Sequence, residues 1–165
     1  MIADDALVIG LGGNVGDVRA TFQRAREALA QLGDVRSGSL YRSAPMGPPQ
    51  PEFLNTAVRV RFADGTPGEV IATILELERL LGRDRRAEAR NGPRSIDLDV
   101  LVWGTRVIRT PELEIPHPRL AERRFALLPL IDLVGEDFVV PGAGPAGELA
   151  RRVAGQRCDE IAATW

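Results

Sequence analysis

Apolar and polar residues recur along the chain with periods that separate strands from helices. Residues 6–12 form a nearly continuous apolar run that predicts a buried first strand. Val18, Phe22, Ala25, Leu29 and Leu32 then fall at helical spacing until Gly33 stops the run. Residues 35–42 predict a second strand, and residues 43–51, dense in Pro and Gly, are too short and too broken for a crossover helix. The next element must therefore be a strand. Leu54, Thr56, Val58, Val60 and Phe62 alternate there with Asn55, Arg59 and Arg61, the period of two expected of a half-buried antiparallel strand. Thr66 and Pro67 open a second helix with Val70, Ile71, Ile74, Leu75, Leu77 and Leu81 on its face and Gly82 as its stop. In a fourth strand Ile96, Leu98, Val100 and Val102 turn to the core, which puts Asp97, Asp99, Leu101 and Trp103 on the other face.

The order β-α-β-β-α-β predicts an α+β fold, a ferredoxin-like sandwich with a mainly antiparallel sheet and helices packed on it. From Arg119 onward a C-terminal extension adds a helix and a short strand at 138–140, and the segment beyond about Gly142 carries no assignable pattern. The chain shows neither an internal repeat nor a linker. Its 165 residues, 44% apolar, suit one domain over 1–165 with a core of its own.

Acids among residues 1–5, and the lack of an apolar run near the eighteen or so residues needed to span a bilayer, lead to the expectation of a cytoplasmic protein without membrane contact. Cys158 is the only cysteine, so neither an internal disulfide nor a zinc cage is expected. The net charge of −2 argues against a general nucleic-acid surface. All 21 basic residues are arginine, so only clustering distinguishes a functional arginine from compositional bias. Arg79, Arg83, Arg85, Arg86, Arg90 and Arg94 cluster in one stretch, and Arg119, Arg123 and Arg124 in another.

The sharpest local signal is Asp97-Leu98-Asp99. Alternate residues of a strand project from one face about 6.6 Å apart, so two carboxylates converge. They repel unless a cation lies between them, and Mg²⁺ bound with substrate phosphates is one solution; a solvated acidic strand face is the other. Arg83, Arg85 and the Gly92-Pro93-Arg94 turn stand just before the pair and offer planar donors for phosphate oxygens. His117, the single histidine, lies between Pro116 and Pro118 close to the second arginine cluster, which suits a phosphate donor or an isolated surface histidine. Phe53, Asn55 and Phe125 are able to stack on and hydrogen-bond a flat heterocycle, or simply to pack in the core. The glycines of 10–16 have the spacing G-x-G-x-x-x-G, a weak match to a dinucleotide fingerprint, and the proline loop after Tyr41 replaces the crossover that fingerprint needs. A chain without lysine has no P-loop.

Gly12-Gly13-Asn14, Tyr41-Arg42-Ser43 with Gly47-Pro48, Phe53-Leu54-Asn55, Gly92-Pro93-Arg94-Ser95-Ile96-Asp97-Leu98-Asp99 and Pro116-His117-Pro118 together resemble the 6-hydroxymethyl-7,8-dihydropterin pyrophosphokinases of folate biosynthesis. The resemblance implies transfer of pyrophosphate from ATP to the hydroxymethyl oxygen of the pterin, leaving AMP. It also implies that Asp97 and Asp99 hold two Mg²⁺ ions. Arg83 and Arg94 would neutralise phosphate charge, and Arg85, Ile96, His117 and Arg123 would complete the ATP site. Phe53 and Phe125 would enclose the pterin ring, with Asn55, Gly12 and the chain around Ser43, Ala44 and Met46 along its polar edge. The chain departs from the family pattern at Asn91, Phe53 and Glu112. ATP and the pterin are the expected partners of a monomer. A non-catalytic ferredoxin-like module binding RNA or a regulatory ligand, and a nucleotidyl transferase releasing pyrophosphate, are the competing classes.

Overall fold

Strand β1 (Ala6–Gly13) is apolar on both faces and therefore lies inside the sheet: Leu7, Ile9 and Leu11 enter one hydrophobic cluster and Val8 the other. The computed structural model describes residues 6–45, 47–62, 65–83 and 92–165. Helix α1 (Val18–Leu29) starts where the Asp17 carboxylate accepts from the Ala20 amide at 3.1 Å, and it buries Phe22, Ala25 and Leu29. Leu32, expected on its face, lies past its end and is 38% exposed. The predicted second strand is two strands, β2 (Val35–Ser37) and β3 (Leu40–Ser43), both antiparallel to β4 (Phe53–Arg61).

The break falls at Gly38 and Ser39 for a packing reason. A Cβ on Gly38 would stand 2.9 Å from the Pro129 carbonyl oxygen, so a later helix presses directly on this backbone. The Gly38 carbonyl leaves the ladder and accepts from the Thr56 hydroxyl at 3.3 Å and the Trp165 indole at 2.9 Å.

Helix α2 (Pro67–Leu80) begins with Thr66 accepting from the Glu69 amide at 3.2 Å and Pro67 in its first turn; Gly82 follows it at φ 82°. Val70 and Leu77 join α1 over the first face of the sheet, whereas Leu75 points outward at 51% exposure. Strand β5 (Asp97–Trp103) pairs antiparallel with β1. The register shifts between Val8 and Ile9, which face Val102 and Val100 and leave Leu101 as an extra residue. This bulge reverses the alternation. Val102 joins Leu101 on the second face, and Trp103 turns back to the first, the opposite of the simple period-two expectation for these two residues.

After the hairpin of β6 (Ile108–Arg109) and β7 (Glu114–Ile115) come a cis Ile115–Pro116 peptide, a 3-10 turn (Leu120–Glu122) and α3 (Arg124–Val134). The chain continues through a second hairpin, β8 (Val139–Val140) and β9 (Gly144–Pro145), α4 (Ala146–Arg152) and β10 (Cys158–Ala162). Sheet order is β10-β3-β4-β1-β5, with β2 on β4. The first four strands of a ferredoxin-like sandwich are thus extended at one edge by β10. Leu127, Leu130 and Leu149 pack against Val8, Ala57 and Leu101, so α3 and α4 cover the second face and the sandwich has three layers.

Candidate active site

The second face is not covered along its whole length. On β1 this face carries Val8 beneath α3, then Gly10 and Gly12, where no side chain stands. A Cβ on Gly10 would lie 3.2 Å from the Leu101 side chain, and one on Gly12 3.4 Å from Asn55 Oδ1. Strand register places Gly12 between Asn55 and Asp97, and Gly10 between Ala57 and Asp99. The floor is therefore a glycine groove with an amide on the β4 side and two carboxylates on the β5 side. Residues from His117 to Ala126 form the opposite wall, and the space enclosed is about 120 Å³.

Eleven of the expected site residues meet in this cleft: Gly12, Ser43, Ala44, Phe53, Asn55, Arg94, Asp97, Asp99, His117, Arg123 and Phe125 all line it. Arg83 reaches it through Asp97. The Ile96 side chain is fully buried on the other face, so any contact it offers a nucleotide comes from its main chain. Met46 and Arg85, with Arg86, Arg90 and Asn91, lie outside the described residues.

Asp97 receives Arg83 Nη1 at 2.9 Å and Arg94 Nη1 at 3.4 Å; Asp99 faces His117 Nε2 at 3.5 Å and Arg123 Nη1 at 3.8 Å. Burial, and next the charge of Asp99, push the Asp97 carboxyl above the usual carboxylate range despite Arg83 and Arg94. Burial would also raise Asp99, but the hydrogen bond and charge of His117, then Arg123 and Arg83, outweigh it and hold Asp99 below that range. His117 Nδ1 accepts from the Arg119 amide at 3.1 Å, which leaves the proton on Nε2, directed at Asp99. The imidazole is thus a donor into the cleft. Two crowded oxygen ligands on one strand suit a hard divalent cation. Among the described residues no group of three His, Cys, Asp or Glu side chains converges, so such a cation would complete its shell with water and substrate oxygens.

At the other end, Asn55 Nδ2 donates to Ser43 Oγ at 2.6 Å with both residues buried, which leaves Oδ1 toward the groove. Phe53, two residues before Asn55 on β4, lines this end, and Phe125 lines the same cleft from the opposite wall.

Two polar residues with no assigned part in the site prove central to its construction. Glu78, on α2 and 3% exposed, pairs with Arg83, which in turn contacts Asp97. Its signal was an acid at helical spacing from Ile74 in an apolar stripe, five residues before an arginine. Asn14, 8% exposed, bonds to the backbone of Arg94 and to the loop after β3.

The profile of the family described as 7,8-dihydro-6-hydroxymethylpterin-pyrophosphokinase (HPPK) matches residues 8–135. The chain belongs to the HPPK family. A Synechocystis 2-amino-4-hydroxy-6-hydroxymethyldihydropteridine pyrophosphokinase is 39% identical over 140 residues, covering 83% of this chain and 70% of the relative. The Bacillus subtilis protein of the same name is 39% identical over 130 residues, 76% of this chain and 75% of that one. The mitochondrial folate synthesis bifunctional protein of Pisum sativum is 42% identical over 135 residues, but this chain spans only 26% of its length. Among solved structures, wild-type Plasmodium falciparum HPPK-DHPS with pteroate superposes with a TM-score of 0.68 at 13% identity, covering 89% of this chain and 44% of that one. At that identity the likeness speaks for the fold, and it places the three-layer sandwich among HPPK folds. No helix among the described residues is long and apolar enough to cross a membrane.

Proposed function

We propose that the protein transfers the β,γ-pyrophosphoryl group of ATP to the hydroxymethyl oxygen of 6-hydroxymethyl-7,8-dihydropterin, giving AMP and the pterin diphosphate in folate synthesis. One observation carries the assignment of sites. Carboxylates and cationic donors gather on the β5 side of a single cleft, an oriented amide stands on its β4 side, and two phenyl rings line the same cleft.

In the reaction the substrate oxygen forms a bond to the β phosphorus, the bond from that phosphorus to the α,β-bridging oxygen breaks, AMP departs, and the hydroxyl proton passes to solvent. Little covalent work falls to the protein; positioning and charge neutralisation dominate. Asp97 and Asp99 would hold two Mg²⁺ ions, which supply positive charge to the triphosphate. Arg83 and Arg94 exchange part of their contact with Asp97 for phosphate oxygens, and His117 donates from Nε2. The Arg123 guanidinium stands 5.7 Å from the centroid of the Phe125 ring and 3.8 Å from Asp99. Arg85 and the main chain of Ile96 complete the nucleotide site. Phe53 and Phe125 sandwich the pterin, and Asn55 Oδ1, fixed by Ser43, accepts from its N–H edge, with Gly12 and Ala44 around the ring; Met46 is assigned to the same substrate site by the family resemblance alone. The chain works as one unit over 1–165, a cytoplasmic monomer with no nucleic-acid partner.

The test is chromatography of the nucleotides formed from Mg²⁺, ATP and the pterin. Pterin-dependent AMP is expected, reduced at least about 100-fold in Asp97→Asn. ADP would identify an ordinary kinase, and free pyrophosphate a nucleotidyl transferase; either result replaces this function.

A further inference from the structure

Three separate segments meet at the side chain of Asn14. It follows β1 directly, is 8% exposed, and does not itself line the cleft. Its Oδ1 accepts from the Arg94 amide at 2.9 Å, while its own amide donates to the Arg94 carbonyl at 2.9 Å. The residue is thereby paired with Arg94 like one rung of a ladder. Its Nδ2 carries two protons and both are used: one goes to Gln50 Oε1 at 2.8 Å, the other to the Pro51 carbonyl at 2.9 Å. Gln50 and Pro51 close the loop that runs from Ser43 to Phe53.

We infer that Asn14 is a positioning residue that sets the distance between the two ends of the cleft. Through Arg94 it holds the phosphate end, and through Gln50 and Pro51 it holds the ring end. Only asparagine offers an acceptor and two donors on so short a branch. Aspartate has the same shape and keeps the acceptor for the Arg94 amide, but it cannot donate and would turn an oxygen toward two other oxygens. Alanine loses the side-chain bonds to both segments and keeps only the main-chain bond to the Arg94 carbonyl. Gly13 makes the arrangement possible, because a Cβ there would lie 2.6 Å from the Ser95 carbonyl oxygen and push the Arg94 segment away.

The assignment of the two ends rests on the proposed function, so the experiment has one readout that needs no turnover. In ligand-free Asn14→Asp, amide exchange at Gly47, Gln50 and Glu52 is expected to quicken at least about tenfold, as two lost hydrogen bonds would allow, with exchange near Arg94 unchanged. Equal exchange in both regions of variant and parent overturns the inference whatever the enzyme does. In the kinetic arm, Asn14→Asp should raise KM for the pterin about tenfold and leave KM for ATP within about twofold, whereas Asn14→Ala should raise both. A general loss of stability would lower the active fraction and move neither KM. Gln50→Ala, which removes one partner from the outside, should shift the pterin KM in the same direction and guards against misfolding of the buried variants. A fall in kcat alone, with both KM values unchanged, overturns the positioning role. Absence of pterin-dependent AMP from the parent protein would refute the proposed function, with the exchange arm still deciding whether Asn14 ties the loops.

Discussion

Tyr41 on β3 donates its phenolic hydroxyl to Asp132 Oδ2 on α3 at 2.8 Å, across 91 positions of sequence, and the same oxygen accepts from the Ser39 amide at 3.0 Å. One carboxylate therefore fastens α3 to the sheet where the strand breaks. Tyr41 stands in the row of Asn55, Gly12 and Asp97, so the fastening supports the floor of the cleft.

Tyr41→Phe should lower the unfolding free energy by about 1.5–3 kcal/mol, the range for a hydrogen bond to a charged acceptor, read from urea titration. Burial, and then Asp132, raise the ionisation of this phenol far above its ordinary value. Because the native value exceeds the unfolded one, this stability is complete below about pH 10 and disappears as pH rises beyond it. Burial also pushes the Cys158 thiol up to about 11, which acts in the same sense. The alkaline loss should therefore shrink in Tyr41→Phe without disappearing. Tyr41 is the only tyrosine, so absorbance at the phenolate band follows it alone. A titration near pH 10 with the native circular dichroism intact would contradict this environment.

Two adjacent glycines should respond in opposite ways to alanine. At Gly13 the new Cβ would meet the Ser95 carbonyl at 2.6 Å, a backbone atom that cannot turn aside. At Gly12 it would meet Asn55 Oδ1 at 3.4 Å, an ordinary contact. Gly13→Ala should cost about 1–3 kcal/mol in urea titration. Gly12→Ala should keep its melting temperature and lose pterin affinity by calorimetry, because the added methyl occupies the groove. Equal stabilities for the two variants would contradict the geometry.

What was legible in the sequence follows from local physics. The second helix announced itself through Thr66-Pro67 and Gly82, because caps and stops act within one turn, and the first through the spacing of Val18, Phe22, Ala25 and Leu29. Asp97 and Asp99 were found on one face because the strand period holds through them. The alternation failed three residues later, at the bulge, since an extra residue is defined by its partner strand and leaves no mark in β5 itself. The break at Gly38 likewise depends on Pro129, far along the chain. Asn14 and Glu78 escaped notice as structural members because a buried polar residue is explained by its partners, and those partners lie on other segments. The edge strand β10 lacked a signal for the same reason: only Cys158 is buried among its five residues, and its order comes from pairing with β3.

Trp165 binds that C-terminal segment to the core, and its contribution is separable into packing and hydrogen bonding. Its ring meets Phe22 edge-on at 6.1 Å, carries the Arg26 guanidinium at 4.2 Å from its centroid, and is 7% exposed. Its Nε1 donates to the Gly38 carbonyl at 2.9 Å, one of the groups freed by the strand break. Trp165→Ala removes the packing and should destabilise by about 3–5 kcal/mol, the cost of emptying a large aromatic site. Trp165→Phe retains most of the apolar contact and loses the indole donor; since Thr56 still serves the Gly38 carbonyl, the cost should fall to about 1–2 kcal/mol. Denaturant midpoints of the two variants settle the partition. Comparable losses would assign the stabilisation to the hydrogen bond, and an unchanged midpoint in Trp165→Ala would show that the core does not depend on this side chain.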